Sequence, residues 1–156
     1  MQNIQGIQKV KDALVVLVKT EWNAAIVDEL ENGCKKVLER YGVQSKTLVV
    51  PGAVEIPFAI QQCWANSNAP SAFVALACVI RGDTPHFDYV CQSVTQGVTQ
   101  LNLSVEAPVI FGVLTVDTTE QANERIGGKH GHKGEEAALT ALKMMVLNQQ
   151  LKEGNF

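Results

Sequence analysis

The fold is decided by residues 73–88, which read FVALACVIRGDTPHFD. The first part, Phe73–Ile80, is an unbroken apolar run that predicts a strand buried on both faces. Thr84 followed by Pro85 predicts a helix start, because a hydroxyl caps the first turn and proline is favoured at the first helical position. The stretch therefore predicts a strand, a glycine turn and the N-terminus of a helix.

The turn in this stretch has the features of a small anion site. Backbone N–H groups at a helix N-terminus attract an anion, and Gly82 lets the backbone come close to it. His86 lies on the first helical turn and is the residue type whose charge changes near neutral pH. The pattern predicts chemistry on a small phosphorylated molecule, although many such turns bind nothing. Neither the Walker spacing nor the dinucleotide-binding glycine spacing is present.

Strand and helix patterns alternate along the rest of the chain. Three more apolar runs predict strands, at 13–18, 46–50 and 109–116. Four helical stripes are spaced between and after them, at 26–41, 56–64, 87–105 and 135 to about 151. This alternation predicts an α/β layered fold with a parallel sheet. In the first helix, charged residues that include Glu31 are expected on the face opposite the apolar stripe. No linker or repeat divides residues 1–156, which are expected to form one domain with a loosely ordered arm at 1–12.

The composition narrows the classes of protein. With 46% hydrophobic and 19% charged residues the chain should fold, and a net charge of -3 gives no basic footprint for nucleic acid. No apolar run reaches the roughly 18 residues of a membrane span, and the polar N-terminus does not resemble a signal peptide. The four cysteines are far apart in sequence and are expected to be reduced thiols of a cytoplasmic protein. His130 and His132 form a weak H-x-H pattern without a third ligand, so no metal site is expected.

The last predicted helix is apolar on most of its circumference. Its polar stripe is narrow and contains Glu136, Thr140 and Lys143. A helix of this kind is covered on most sides. The cover is either a neighbouring subunit, which we favour, or the chain's own core.

Ligands of parallel sheets bind beyond the carboxyl ends of the strands. Three segments follow predicted strands and should lie beside the anion turn: 19–23, 51–55 and 117–119. Trp22 could stack on a flat ring or cap the core, and Asn23 could bond a ligand or cap the next helix. Glu55 could accept hydrogen bonds from ligand hydroxyls or simply favour the positive end of a helix.

A glycine-rich basic segment, RIGGKHGHKG, follows at 125–134. Guanidinium pairs well with phosphate, so Arg125 is a second candidate anion contact. The alternative is a mobile, solvated loop.

Four segments together resemble the lumazine synthase family. They are VPGAVEIP at 50–57, VIRGDTPHFDYV at 79–90, APVIFGVLTVDTTEQANERIGG at 107–128 and HKGEEAALTALKM at 132–144. The resemblance implies a flavodoxin-like sandwich around a four-stranded parallel sheet, assembled as pentamers with active sites between adjacent subunits. It implies condensation of 5-amino-6-(D-ribitylamino)uracil with 3,4-dihydroxy-2-butanone 4-phosphate, without cofactor or metal, in riboflavin biosynthesis.

The resemblance also implies roles for individual residues. His86 resembles the proton-transfer residue. The phosphate site would comprise Gly82, Asp83, Thr84 and Arg125. Contacts to the uracil ring and the ribityl chain would come from Asn23, Ala53, Val54, Glu55, Val79 and Ile80, with Phe111 and Lys133 supplied by the neighbouring subunit. Trp22 stands where the family usually has a phenylalanine stacked on the pyrimidine. The run Val116-Asp117-Thr118 differs from the more usual pair of threonines after Leu114.

Other functions remain open at this level. The same pocket could hold lumazine or flavin as a non-catalytic carrier or sensor, or the chain could be a structural shell protein. A flavodoxin-type electron carrier is disfavoured, because the segment 19–23 carries a single hydroxyl. Within the family reading, the assembly size (5, 10 or 60 subunits) and an association with riboflavin synthase are not fixed by the sequence.

Overall fold

The computed structural model of the chain describes residues 4–156. Its strands are β1 Leu14–Thr20, β2 Gln44–Val50, β3 Ala72–Ile80, β4 Val109–Val116, and the short hairpin β5 Ile126–Gly128 and β6 Gly131–His132. Its helices are α1 Ala24–Arg40, α2 Ile56–Asn66, α3 His86–Ser104, α4 Thr119–Asn123 and α5 Lys133–Lys152. Short 3-10 turns lie at Ile7–Lys9 and Ala53–Glu55.

The first four strands form one parallel sheet in the order β2-β1-β3-β4. Alternate residues of each strand face opposite layers, as the period of a strand requires. Leu17 and Leu76 pack with α1 and α5, whereas Val18 and Phe73 pack with α2 and α3. The three-layer α/β sandwich with a four-stranded parallel sheet is therefore confirmed.

Helix α3 starts one residue later than the sequence predicts. Pro85 is the N-cap and His86 the first helical residue, and the backbone N–H of His86 is 3.4 Å from Thr84 Oγ1. The reason is a tight first turn, in which the N–H of Asp88 donates to the carbonyl of Pro85 at 3.0 Å. Thr84 therefore reaches the helix start from two residues away.

Helix α5 is buried on one side and exposes apolar residues on the other. One side packs against α1 so closely that a Cβ on Gly134 would lie 2.1 Å from the carbonyl oxygen of Leu30. The other side leaves Met144, Leu147 and Leu151 exposed on this chain. The helix fits deeply into its own core, yet part of its apolar surface has no cover within residues 4–156.

Part of the N-terminal segment packs on the sandwich. Ile4 and Ile7 are buried in the core layer that contains α5, and Gly6 lies against Val146. Residues 1–3 of the expected arm lie outside the described part of the chain. Within that part, no helix has the length and apolar character to cross a bilayer.

Candidate functional site

The carboxyl ends of the four parallel strands meet at one end of the sheet, and backbone bonds tie their turns together. The N–H of Glu21 donates to the carbonyl of Val50 at 2.9 Å, which joins the turns after β1 and β2. The N–H of Arg81 donates to the carbonyl of Val116 at 2.9 Å, which joins the turns after β3 and β4. The segments that the sequence predicts to be neighbours are brought together here.

Trp22 lies in the turn after β1 with 76% of its surface exposed. Thr20 fixes this turn, because its Oγ1 donates to the carbonyl oxygen of Trp22 at 2.9 Å. The exposure excludes the alternative in which the indole caps the core. The ring is free to stack on a flat partner at this end of the sheet.

The side-chain amide of Asn23 makes a contact other than the predicted ligand bond or helix cap. It is the N-cap residue of α1 in the left-handed region, with φ 58°, but its side chain does not cap the helix. Its Nδ2 instead donates to the carbonyl oxygen of Cys78 at 2.7 Å. The Trp22 turn is therefore fastened to β3, next to Val79 and Ile80.

The turn after β2 offers both polar and apolar groups. Ala53 is buried, whereas Val54 and Glu55 are exposed at the strand end. The N–H of Glu55 donates to the carbonyl of Gly52 at 3.2 Å, and the carboxylate lies 3.0 Å from the position of a Cβ on Gly52. A side chain at Gly52 would therefore require the Glu55 carboxylate to shift by a few tenths of an ångström.

The anion turn itself is open. Gly82, Asp83, Thr84 and His86 are all exposed, and a Cβ on Gly82 would meet open space. An exposed glycine turn at a helix N-terminus, with a histidine as the first helical residue, suits an anionic substrate and a proton transfer.

Arg81 flanks this turn and makes three contacts. Its Nε donates to Asp117 Oδ1 at 2.8 Å, and its NH1 lies 3.3 Å from Asp88 Oδ1. The guanidinium carbon is 4.2 Å from the centre of the Phe87 ring. The Asp117 carboxylate, in the turn after β4, thus has a defined partner.

A second group of candidate residues lines a groove of about 600 Å³ along the outer edge of β4 and against α5. Phe111, Arg125 and Lys133 lie in it together with Glu136. Arg125 NH1 donates to the carbonyl of Gln121 at 3.1 Å, and Lys133 Nζ donates to Glu136 Oε2 at 2.7 Å. Among the described residues, none of those at the ends of β1, β2 and β3 lines this groove. The candidate set is thus divided between the strand ends and the edge of β4.

Most of the glycine-rich segment at 125–134 forms the β5–β6 hairpin, and its last two residues begin α5. His132 is the N-cap of α5, and its Nδ1 accepts from the N–H of Glu135 at 3.3 Å. His130 Nε2 is 3.6 Å from a carboxylate oxygen of Glu124. Within residues 4–156, no cluster of three or more His, Cys, Asp or Glu side chains could hold a metal ion.

A buried network of charged side chains between α1 and the first two strands contradicts the prediction for Glu31. Glu31, expected on the polar face of α1, has only 8% of its side chain exposed. It accepts hydrogen bonds from Lys19, from Lys35 at 2.7 Å and from Thr47 Oγ1 at 2.6 Å. Burial raises its pKa, but these donors outweigh burial and lower the pKa to about 2. In the sequence, the only sign of this buried carboxylate is Lys19, a lysine at the end of an apolar strand.

Comparison with known proteins gives a consistent family. The family model for 6,7-dimethyl-8-ribityllumazine synthase matches residues 12–149. A protein of that name from Porphyromonas gingivalis is 49% identical over 142 residues, covering 89% of this chain and 88% of the relative. One from Parabacteroides distasonis is 48% identical, covering 83% and 82%, and one from Campylobacter lari is 42% identical, covering 97% and 99%. A solved GDP-L-fucose synthetase from Naegleria fowleri matches at 10% identity over 92% of this chain and 47% of its own, with a TM-score of 0.33, too low to inform the fold.

Proposed function

The chain belongs to the 6,7-dimethyl-8-ribityllumazine synthase family, and on that premise we propose that it condenses 5-amino-6-(D-ribitylamino)uracil with 3,4-dihydroxy-2-butanone 4-phosphate. The product is 6,7-dimethyl-8-ribityllumazine, formed with release of phosphate and water in the penultimate step of riboflavin biosynthesis. The observation that carries the proposal is the family match over residues 12–149. The open anion turn beside His86 is the local geometry that such a reaction needs.

The active site is formed between two copies of the chain. The strand ends supply Trp22, His86 and the anion turn, and the β4 groove of a second copy supplies Phe111, Arg125 and Lys133. This arrangement accounts for the division of the candidate residues within one chain. A heterologous contact of this kind closes into a ring when the rotation between copies closes.

Exposed apolar residues at both edges of the sheet support the contact. Phe58 on α2 is 71% exposed, and Leu48 and Val49 on β2 are exposed at the same side of the sandwich. At the opposite edge, Met144 and Leu147 of α5 are exposed near residues 105–108, which precede β4. Large exposed apolar areas mark protein interfaces. The assembly is a homo-oligomer built from pentamers, which stand alone, pair, or form a sixty-subunit shell.

Phosphate binding prepares the leaving group. The backbone N–H groups of Gly82, Asp83 and Thr84 meet the phosphate of the butanone substrate, with Arg125 from the neighbouring copy. Hydrogen-bond donors that already face the negative charge of the phosphate make phosphate a better leaving group. Holding both substrates in one pocket replaces much of the entropic cost of a bimolecular reaction.

Proton transfers complete the reaction. Schiff base formation, loss of phosphate, ring closure and loss of water each move protons near neutral pH, which suits His86. Trp22 stacks on the pyrimidine ring. Asn23, Ala53, Val54, Glu55, Val79 and Ile80 contact the ring and the ribityl chain, and Phe111 and Lys133 complete the pocket from the second copy.

The setting of the enzyme belongs to the same proposal. We place the protein in the cytoplasm, as one domain over residues 1–156 with an association with riboflavin synthase, the consumer of its product. All four cysteines, which lie within residues 4–156, are free thiols, and burial raises the pKa of Cys34 to about 12 and of Cys78 to about 11. Thiols of this kind fit a reducing compartment.

The first test is direct. Purified protein is mixed with both substrates, and lumazine absorbance and fluorescence are followed against a protein-free control, since the reaction also proceeds unaided. Acceleration above that control is expected. Lumazine binding without acceleration would replace the synthase by a carrier, and assembly with neither would leave a structural shell protein.

The second test addresses the shared site. His86→Ala and Arg125→Ala subunits are unfolded together, refolded as mixed oligomers and assayed beside each variant alone. If one copy supplies His86 and the next supplies Arg125, random mixing restores about a quarter of the sites. Mixed oligomers no more active than the average of the two variants would refute a site shared between subunits.

A further inference from the structure

The contacts of Arg81 go beyond what the proposed roles require. Arg81 lies at the junction of β3 and the anion turn, and its side chain reaches the first turn of α3 and the start of the loop after β4. We propose that Arg81 and Asp117 are positioning residues that hold the anion turn, Gly82–Pro85, in the shape that binds the phosphate substrate. The inference rests on the proposed function, because it assigns these residues to the phosphate end of that site.

The anion turn has little of its own to hold it. The N–H of Asp88 donates to the carbonyl of Pro85, and the N–H of His86 meets Thr84 Oγ1 at 3.4 Å, which is long for a hydrogen bond. Arg81 spans the two ends of the turn, since it leaves β3 and contacts both Asp88 and Phe87 on α3. Its side chain thus closes the turn into a short ring.

Asp117 fixes the guanidinium in orientation. Its carboxylate accepts from Nε at 2.8 Å, which leaves NH1 directed to Asp88. Asp117 is itself held, because its N–H donates to Gln121 Oε1 at 2.8 Å and the N–H of Gln121 donates to Thr118 Oγ1 at 3.2 Å. A planar fork can bond two carboxylates and lie over a ring at once, whereas a lysine ammonium cannot reproduce that geometry.

If Asp117 acted only through its charge, its substitution would change phosphate affinity in the opposite direction. A carboxylate near a phosphate site repels the anion, so an account based only on net charge predicts tighter phosphate binding when Asp117 loses its charge. The positioning account predicts weaker binding when the acceptor atom is lost and little change when an uncharged acceptor remains. The sign of the effect therefore separates the two.

The experiment compares Arg81→Lys, Asp117→Ala and Asp117→Asn with the wild-type protein and with Arg40→Lys, an exposed arginine at the end of α1. For each we would measure KM for both substrates and the inhibition constant of inorganic phosphate. Arg81→Lys is expected to raise KM for the butanone phosphate and the phosphate inhibition constant roughly tenfold, because a small misplacement of a binding group is costly. KM for the ribitylaminouracil should stay within about twofold.

Asp117→Ala should weaken phosphate binding in the same direction, Asp117→Asn should rescue it, and Arg40→Lys should match the wild-type protein. Unchanged phosphate constants in Arg81→Lys would overturn the inference, as would equal losses for both substrates, which indicate a general structural role. Tighter phosphate binding in Asp117→Ala would also overturn it. Absence of lumazine formation by the wild-type protein would refute the proposed function instead.

Discussion

Glu31→Gln tests how far the buried charge network stabilises the fold. The substitution keeps the size of the side chain but removes the charge that Lys19 and Lys35 face. The pKa of Glu31 is about 2 in the folded protein against a usual 4.5, since donated hydrogen bonds outweigh burial. Each pKa unit corresponds to ~1.4 kcal/mol, so the ionised carboxylate stabilises the folded state by about 3 kcal/mol at neutral pH.

The pH dependence has a definite sign. A carboxyl whose folded pKa is lowered contributes fully above its unfolded pKa, near 4.5, and loses that contribution as the pH falls toward 2. The difference in free energy of unfolding between the wild-type protein and Glu31→Gln should therefore shrink by about 2 kcal/mol between pH 6 and pH 3.

Urea denaturation followed by circular dichroism measures this difference. The protein concentration is kept constant, because assembly adds a concentration-dependent stability. Glu29→Gln, an exposed position on the same helix, serves as the control and should change stability by less than about 0.5 kcal/mol. A gap below about 1 kcal/mol at neutral pH, or a gap that does not vary with pH, would refute the reasoning.

Four further substitutions test the network, the helix packing and the site. Thr47→Val removes a donor to the buried carboxylate and should lower the free energy of unfolding by about 1 kcal/mol in the same assay, so an unchanged midpoint would contradict the bond. Gly33→Ala would bring a Cβ to 2.2 Å from His132, and we expect a loss of about 1–3 kcal/mol by thermal unfolding, whereas an unaltered Tm would show that the ring can move. His86→Ala should slow turnover roughly a hundredfold, the low end for proton-transfer residues, while leaving it above the uncatalysed rate, and an equal rate would exclude that role. Arg125→Ala should raise KM for the butanone phosphate far more than for the uracil, and a loss confined to the uracil would contradict the assignment.

The sheet and the strand-end location could be predicted because they depend on local pattern. The apolar run that ends at Ile80 marks β3, and parallel pairing then places every following turn at one end of the sheet. The same rule predicts the positions of Trp22 and the anion turn from the strand pattern alone. The divided layout of the site could be anticipated only from the family resemblance.

What the sequence could not provide depends on distant partners. Glu31 follows the helical polar pattern, and only the approach of Lys19 and Thr47 from two strands makes its burial favourable. The amide of Asn23 has an equally good local use as a cap, and the carbonyl of Cys78, 55 residues away, replaces that use. These hydrogen-bond partners depend on tertiary geometry, about which the periodicity of apolar residues in the sequence carries no information.

The close packing of α1 against α5 has a consequence for the order in which the protein is made. Cys34 Sγ donates to the carbonyl of Gly134 at 3.0 Å, a contact between residues separated by 100 positions. During synthesis the apolar face of α1, with Leu30, Cys34 and Val37, emerges from the ribosome long before the helix that covers it. Until the last helix is released, the nascent sandwich therefore carries an uncovered apolar surface on one layer, which is the kind of surface that chaperones recognise.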